Sequence, residues 1–305
     1  MLRFLLRRFV VALLVAATVL TLAFMLTRLS GDLAISIAGA NATQADVELI
    51  RKAYGLDRPV IVQFFDWVGR AMIGDFGESY FFKARTAALI GERMPVTITL
   101  GLTGLLIALF VSIPMGIAAA VNEGAWVDRV VQFIALLGQA MPGFWLGLIL
   151  MITFGLQLGW LPISGTGSWQ HYVMPGIVLA FTAIPALTRL TRAGMIQAMS
   201  SDYIRTARAK GLSRASILLK HALRNAAIPV VAIAAVQLGF MLGGSIVIES
   251  VFALHGVGFL AWESIGKNDF PVVQAVVLVL AVIYVALTML ADILNAVLDP
   301  RLRTA

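Results

Sequence analysis

The sequence predicts an all-α integral membrane protein with six transmembrane helices and with both termini in the cytoplasm. Of the 305 residues, 60% are hydrophobic and only 13% are charged, about half the charged fraction of an ordinary soluble domain. Several uncharged runs exceed the roughly 18 apolar residues that mark a membrane-spanning helix. Lys and Arg also concentrate in the two terminal segments and in the loops that six spans would place on the same side of the membrane as the termini. Such enrichment is typical of cytoplasmic loops.

The uncharged runs give the order of the spans. The first run, residues 9–27, follows three arginines and exceeds the roughly 7–15-residue core of a cleaved signal peptide, which is the alternative interpretation. Residues 130–188 carry no charge and are divided by the Pro-, Gly- and Ser-rich stretch 158–172, whose aromatic residues suit a membrane interface. The predicted spans are 9–27, 96–121, 130–157, 173–190, 226–248 and 272–291.

The distribution of Lys and Arg tests this topology. The four segments predicted to be cytoplasmic hold 3, 1, 8 and 2 of them, and the two short outer loops hold 0 and 1. The net charge of +7 is therefore interpreted as a topology signal rather than as a sign of nucleic-acid binding. Residues 28–95 hold another 8 Lys and Arg, but long loops cross the membrane during insertion largely regardless of their charge.

The chain is accordingly divided into two parts. Residues 1–95 are predicted to form the first transmembrane helix and an ordered extracytoplasmic segment with short helices. Residues 96–305 are predicted to form a five-helix core with a cytoplasmic loop at about 189–225.

Several classes of function are excluded or disfavoured. The chain contains no cysteine, which excludes disulfides and thiol catalysis. It has no GxxxxGK[ST] loop, so it is not expected to bind ATP by that route. The spans lack a ladder of ionisable residues, which disfavours an ion-coupled carrier because such residues usually mark ion pathways. We expect no enzyme activity, no bound cofactor and no metal on this chain.

Small or polar residues inside the third and fifth predicted spans are candidates for lining a translocation path. Gly and Pro interrupt membrane helices where neighbours satisfy the backbone, and small residues also serve plain helix packing, which is the alternative. Glu249 either faces such a path or is an interfacial carboxylate. The candidates are Pro142, Gly147, Gln237, Gly243, Gly244 and Glu249.

The loop 189–224 is the most informative segment, because it holds eight basic residues and one acid. Ser201 and Asp202 suit a helix N-cap, and Gly211 suits a helix stop. The pattern predicts a short helix over 203–210, followed by a second helix over 214–225. The slim first helix is a candidate for docking into a groove on a partner; a loop that only sets topology, or one that lies on anionic lipid, are the alternatives. The candidate docking residues are Asp202, Tyr203, Arg205, Thr206, Ala207, Arg208, Ala209, Lys210 and Gly211.

This loop resembles the Glu-Ala-Ala loop of permease subunits in binding-protein-dependent ABC importers. The aligned residues are Arg205-Thr206-Ala207 and Gly211; the glutamate is missing, and Pro229 follows the glycine at a longer spacing. The form Asp-Tyr-x-Arg-Thr-Ala-Arg-Ala-Lys-Gly resembles the dipeptide, oligopeptide and nickel branch. The similarity extends over the chain through Gly55-Leu56-Asp57-Arg58-Pro59, Gly74-Asp75-Phe76-Gly77-Glu78-Ser79, Arg93, Pro95, Thr97, Leu223-Arg224-Asn225-Ala226, Gly256-x-Gly258, Asp269-x-Pro271 and Leu298-Asp299-Pro300-Arg301.

The resemblance implies a permease subunit with the type I importer fold in the bacterial cytoplasmic membrane. Its implied partners are a second, related permease subunit, two cytoplasmic ATPases that carry ATP and Mg, an extracytoplasmic solute-binding protein and membrane lipid. The implied substrates are peptides, either di- or oligopeptides or glutathione. A nickel-chelate or sugar importer of the same family is the alternative, and an ATPase-independent channel or carrier is the alternative from another class.

Overall fold

The computed structural model describes residues 2–29, 32–39 and 42–298, and these residues are overwhelmingly helical. The only β-type pairing in the described ranges is an isolated antiparallel bridge between Glu78 and Arg85. The helices are α1 (Leu2–Leu29), α2 (Leu33–Ala38), α3 (Gln44–Ala53), α4 (Val60–Met72), α5 (Thr86–Val121), α6 (Trp126–Ala140), α7 (Gly143–Leu150), α8 (Val173–Met199), α9 (Asp202–Ala209), α10 (Arg214–Ser216), α11 (Leu223–Val251), α12 (Val257–Gly266) and α13 (Phe270–Leu298).

Within the described ranges, five helices are long and apolar enough to cross a membrane, and a sixth crossing exists if the bent pair formed by α6 and α7 is one span. Four predicted spans, 9–27, 173–190, 226–248 and 272–291, fall inside helices of this length. The second begins earlier than predicted, because α5 starts at Thr86 and carries Glu92 and Arg93 in its first turns. The last residues of the C-terminal motif, Asp299-Pro300-Arg301, lie outside the described residues.

Two predicted boundaries are wrong. The charges at Arg189 and Arg192 do not end α8, which continues to Met199. The helix predicted over 214–225 is not separate from the fifth span. It is the N-terminal part of one helical run from Arg214 to Val251, which contains a π-helical turn at Ile217–Ala222. A helix can extend beyond the apolar layer when its polar end lies in water, so charge alone does not mark its end.

A seam of small residues on α5 allows close packing against α8. Gly104, Ala108, Ser112 and Gly116 recur every four residues and face α8. A Cβ atom on Gly116 would lie 2.5 Å from Cβ of Thr191, so only glycine permits this approach. A Cβ atom on Gly104 would lie 3.0 Å from Cβ of Leu179. The later residue of α5, Gly116, thus contacts the later residue of α8, Thr191, which means that the two helices run parallel.

The other long helices complete the bundle. A Cβ atom on Gly194 of α8 would lie 3.1 Å from the backbone of Ala226, near the start of α11. The α1 and α13 helices pair in antiparallel fashion, since Arg8 contacts Asp292 at 2.8 Å and the amide of Gln274 donates to Thr27 Oγ1 at 2.5 Å.

The described residues between α1 and α5, which are 32–39 and 42–85, lie beside the ends of α1 and α13, with the predicted short helices present as α3 and α4. Thr43 caps α3 through a reciprocal pair of hydrogen bonds with Asp46. The aromatic side chains of Phe64 and Trp67 on α4 pack against Phe24 of α1, which fixes this segment to the bundle.

Candidate functional site: the short helix and the bent helix pair

The short helix α9 is seated on the bundle by one apolar face. Ile204 is fully buried and Ala207 is 6% exposed, and both pack in a cluster of side chains from α8, α11 and the turn between them. This cluster contains Met195, Ala198, Ile217, Ala222 and Ala226. Because Ile204 and Ala207 are three residues apart, they lie on one side of the helix, and α9 cannot roll without exposing them.

The opposite face of α9 is exposed and polar. The remaining predicted docking residues, Asp202, Tyr203, Arg205, Thr206, Arg208, Ala209, Lys210 and Gly211, are exposed. Ala207 is the exception: it was expected on the docking surface, but it faces the bundle. The periodicity placed Ala207 with Tyr203, whereas the burial of Ile204 sets which side of the helix faces inward.

The C-terminal end of α9 agrees with the sequence-based prediction, whereas the N-terminal end lacks the predicted side-chain cap. Ser201 is the N-cap residue, although its hydroxyl donates to Ala198 O instead of capping α9. Gly211 has a φ of +73°, the left-handed conformation that glycine adopts without strain, so the predicted stop is confirmed. The amide of Asn225 also donates to the hydroxyl of Tyr203 at 2.8 Å, which connects α9 to the start of α11.

A buried ion pair connects the same end of the bundle to α6. The guanidinium of Arg192 on α8 donates to both oxygens of Asp128 at 2.7 and 2.6 Å. Asp128 also accepts from the Gly124 amide at 3.0 Å and from the side chain of Gln132 at 3.1 Å. The sequence does not predict this pair, because Asp128 is one of two acids in the segment 122–129 and Arg192 is one of eight basic residues in the segment 189–224.

The helix pair α6 and α7, which covers the third predicted span, is sharply bent. The α6 and α7 helices meet at an angle of 99°, and the break falls at Met141 and Pro142, where Pro142 precedes the first residue of α7. A residue before proline disfavours the helical conformation, so the sequence Met-Pro-Gly at this point explains the break. The π-helical turn Met151–Gln157 that continues α7 is a second departure from regular helix.

A cavity of about 520 Å³ lies between α7, α8 and α11 beside this break. Two of the predicted path residues, Gln237 and Gly244, line it, together with Gly143, Phe144 and Thr182. A Cβ atom at Gly243 would meet no atom within 4 Å, whereas one at Gly147 would lie 3.1 Å from the ring of Phe252. The structure therefore places the predicted residues in different surroundings: Gly147 is in a packed contact, and Gln237 and Gly244 line open space.

Glu249 has a separate role at the other end of α11. Its carboxyl group is fully buried and accepts hydrogen bonds from Thr97 Oγ1 and Ser245 Oγ, both at 2.8 Å, and from the amide of Phe259 at 2.9 Å. Thr97 in turn accepts from the amide of Val257 at 2.8 Å. The N-cap residue of α12 is Gly256, which has no side chain, so α5 and α11 supply the caps for the first amides of α12.

A second acid connects the outer segment to the start of α13. Asp269 is fully buried; it accepts from the hydroxyl of Ser79 and from the amides of Tyr80 and Phe81 at 3.0 and 3.3 Å. Asp269 therefore holds the loop that precedes α5 against the junction of α12 and α13. Thr97 and Asp269 had been noted only as parts of the family resemblance.

This fold defines a helical, multi-pass membrane protein with a short amphipathic helix packed against two long apolar helices and a cavity beside the bent helix pair α6 and α7. Two family models match the sequence: residues 112–304 match the binding-protein-dependent transport system inner membrane component, and residues 1–101 match the N-terminal part of such components. The chain belongs to this family of inner membrane transport components and is a multi-pass inner membrane protein.

Curated relatives and solved structures agree with this family. The glutathione transport system permease protein GsiC of Escherichia coli strain K12 is 41% identical over 275 residues, which is 90% of each chain. The protein of the same name from Salmonella typhi gives the same identity and coverage. Inward-facing structures of the MetNI methionine ABC transporter share the fold, with TM-scores of 0.56 and 0.57, 18% identity and coverage of 69% of this chain and 96% of that chain.

Proposed function

We propose that this chain is one permease subunit of an ATP-driven importer and that it carries peptides, either di- and oligopeptides or glutathione, into the cytoplasm. The observation that carries the proposal is the exposed polar face of α9, which is seated through Ile204 and Ala207 between two membrane helices in a member of this transport family. The glutathione permeases that are 41% identical over 90% of the chain support the peptide class.

The proposed topology has six spans with both termini in the cytoplasm. Because α5 and α8 run parallel, the chain must return across the bundle between Val121 and Val173, and the bent pair α6 and α7 is the segment that does so. This supports counting the pair as one span. The eight basic residues between 189 and 224 support a cytoplasmic position for α9.

In the proposed mechanism, two partner ATPases bind ATP with Mg, and one of them docks on α9. Movement of α9 passes to α8 and α11 through the cluster beneath Ile204 and through the hydrogen bond between Tyr203 and Asn225. The Arg192–Asp128 pair passes movement of α8 to α6, the first half of the bent helix pair. The path opens between this chain and a second permease subunit, with Gln237 and Gly244 facing it.

A solute-binding protein is proposed to deliver substrate on the opposite side. The outer segment 32–85 and the α12–α13 junction form one platform there, since Asp269 joins them. This chain itself is proposed to supply no catalytic residue.

The test is uptake by the assembled importer in proteoliposomes, with labelled glutathione, a labelled dipeptide, a nickel chelate and a sugar as alternative substrates. We expect peptide uptake that requires ATP and the binding protein. Uptake of the nickel chelate or sugar alone would contradict the substrate class, and uptake without ATPase subunits would indicate a channel or carrier.

Two matched variants test the docking face. Ala209 is exposed on α9, and Ala125 is exposed in a loop at the same end of the bundle. Ala209→Trp is expected to abolish ATP-dependent uptake by preventing docking, whereas Ala125→Trp is expected to retain it. Equal uptake by both variants would contradict the role assigned to α9.

A further inference from the structure

A second cavity, of about 470 Å³, lies where the outer segment meets the ends of α1 and α13. It shares no lining residue with the cavity beside the bent helix pair. Arginine side chains from four separate elements line it, together with three acids and several aromatic residues. The charged lining residues are Arg28, Arg58, Arg70, Arg85, Asp66, Asp75 and Glu78.

Two buried polar atoms in this lining have no partner in the described part of the chain. One is Nε of Arg28, a hydrogen-bond donor, and the other is Oε1 of Gln63, an acceptor. Gln63 is held in place, since its amide nitrogen donates to the carbonyl oxygens of Leu56 and Arg58 at 3.2 and 2.7 Å. A buried polar atom without a partner is unfavourable by about 1–3 kcal/mol, so a donor and an acceptor left open in one cavity point to a ligand that satisfies both.

The remaining charges agree with such a ligand. Arg58 is paired with Asp66 at 2.8 Å, and the guanidinium of Arg28 lies 5.0 Å from the centre of the Phe24 ring without an ion pair to any residue of the described ranges. Burial raises the pKa of Tyr80, which also lines the cavity, to about 12, so its hydroxyl stays neutral. Among the described charges of the lining, Arg28, Arg70 and Arg85 have no ion pair within 4 Å and can face an anion, while Asp75 and Glu78 provide negative charge for a cation. Arg28 is the one of these arginines that also has a buried nitrogen without a partner.

The level of the cavity in the membrane indicates the source of the ligand. Arg28 lies three residues beyond the span Leu6–Met25, a rise of about 5 Å along a helix, and Gln274 lies one turn inside the span that starts at Phe270. The cavity is therefore at the depth of the lipid headgroups. The apolar side chains of Ile61 and Phe65 on α4 are 61% and 64% exposed, while Gln63 on the same helix lines the cavity, as expected of a helix that lies along a membrane surface.

We propose that this cavity binds the headgroup of a zwitterionic glycerophospholipid, with its phosphate at Arg28 and its ammonium group toward Gln63 Oε1, Asp75 and Glu78. Guanidinium groups favour phosphate through charge-assisted hydrogen bonds. A bound lipid would join the outer segment to α1 and α13 at the point where Gln274 already contacts Thr27. A soluble zwitterion such as a transported peptide fits less well, because the cavity lies beside the largely exposed helix α1 and apart from the bent helix pair.

The binding test uses the full-length chain, purified in detergent and stripped of lipid. Short-chain phosphatidylethanolamine, short-chain phosphatidylglycerol, inorganic phosphate and dialanine are titrated separately, with bound ligand counted by native mass spectrometry and the unfolding temperature followed in parallel. We expect phosphatidylethanolamine to bind and to raise the unfolding temperature of the wild-type chain. No binding, equal binding of phosphatidylglycerol, or an equal effect of phosphate or dialanine would overturn the assignment.

Two variants then locate the site. Arg28→Gln is expected to weaken phosphatidylethanolamine binding about tenfold, the loss of one charge-assisted hydrogen bond. Lys52→Gln removes an exposed positive charge from α3, outside the cavity lining, and is expected to bind as the wild type does. Wild-type affinity in a monodisperse Arg28→Gln protein would overturn the proposal, and the wild-type titration decides the matter if that variant does not fold.

Discussion

The variant Glu249→Gln is expected to loosen the packing of α12 on α5 and α11. If the amide oxygen keeps the bonds from Thr97 and Ser245, its NH₂ group faces the N–H of Phe259, which donates to the second carboxyl oxygen at 2.9 Å in the wild type. The flipped amide instead presents its NH₂ group to the two hydroxyl oxygens, whose hydrogens must then point elsewhere. Ser245 can donate to the carbonyl oxygen of Leu242, which lies 2.9 Å away, whereas Thr97 loses its acceptor. Either arrangement leaves one buried donor without an acceptor, which lowers stability by about 1–3 kcal/mol.

Thermal unfolding of the purified chain in detergent measures this loss. At about 2–4 °C per kcal/mol for a chain of a few hundred residues, the unfolding temperature is expected to fall by roughly 2–12 °C. The matched control is Glu263→Gln, the same change on α12 away from this junction, which is expected to stay within about 0.5 kcal/mol of the wild type. Equal unfolding temperatures for the two variants would refute the role of Glu249 as a cap for α12.

Three further predictions concern the seam, the ion pair and the outer platform. Gly116→Ala is expected to lower stability by about 1–3 kcal/mol through overpacking. The control Gly243→Ala places its methyl group in open space and is expected to be neutral or to gain up to about 1 kcal/mol from helix propensity. Equal changes in the unfolding temperature of the two variants would contradict the close packing of α5 against α8 at Gly116. Asp128→Asn is expected to lower stability by about 1–3 kcal/mol, because it removes the charged acceptor of the partly buried Arg192. Combining it with Arg192→Gln should cost less than the sum of the two single effects, and strict additivity would argue against the pair. Asp269→Asn is expected to reduce the stimulation of ATP hydrolysis by the binding protein but not basal hydrolysis, and loss of both together would contradict an outer role.

The class of fold was predictable from the sequence because uncharged length and charge placement are properties of the chain itself. The predicted stop at Gly211 was likewise local, because glycine adopts the left-handed conformation wherever it occurs. The break at Pro142 also has a local cause, but it was not predicted, since the third span was expected to run from 130 to 157. The continuation of α8 to Met199 and the continuous helix from Arg214 to Val251 were not predictable in this way, since charged residues lie on helices that extend past the apolar layer.

The inward face of α9 and the junction at Glu249 depend on tertiary contacts. Ala207 was assigned to an outer surface because helical spacing gives relative positions but not the direction of the core. Glu249 accepts from Thr97, 152 residues earlier in the chain, and no local pattern joins the two. The lining of the translocation path by Gln237 and Gly244 remains a prediction, which the cavity supports and uptake assays must test.

Site-directed thiol labelling of α9 tests the central proposal, that its exposed face is the cytoplasmic docking surface for the ATPase. Because the chain has no cysteine, Ala209→Cys and Ala207→Cys each introduce a single reporter thiol. In inside-out vesicles we expect a membrane-impermeant maleimide to label Cys at the exposed position 209 but not at the buried position 207, and assembly with the ATPase subunits to protect position 209. Labelling of position 209 that is unchanged by assembly, or that occurs only from the opposite side of the membrane, would contradict the proposal.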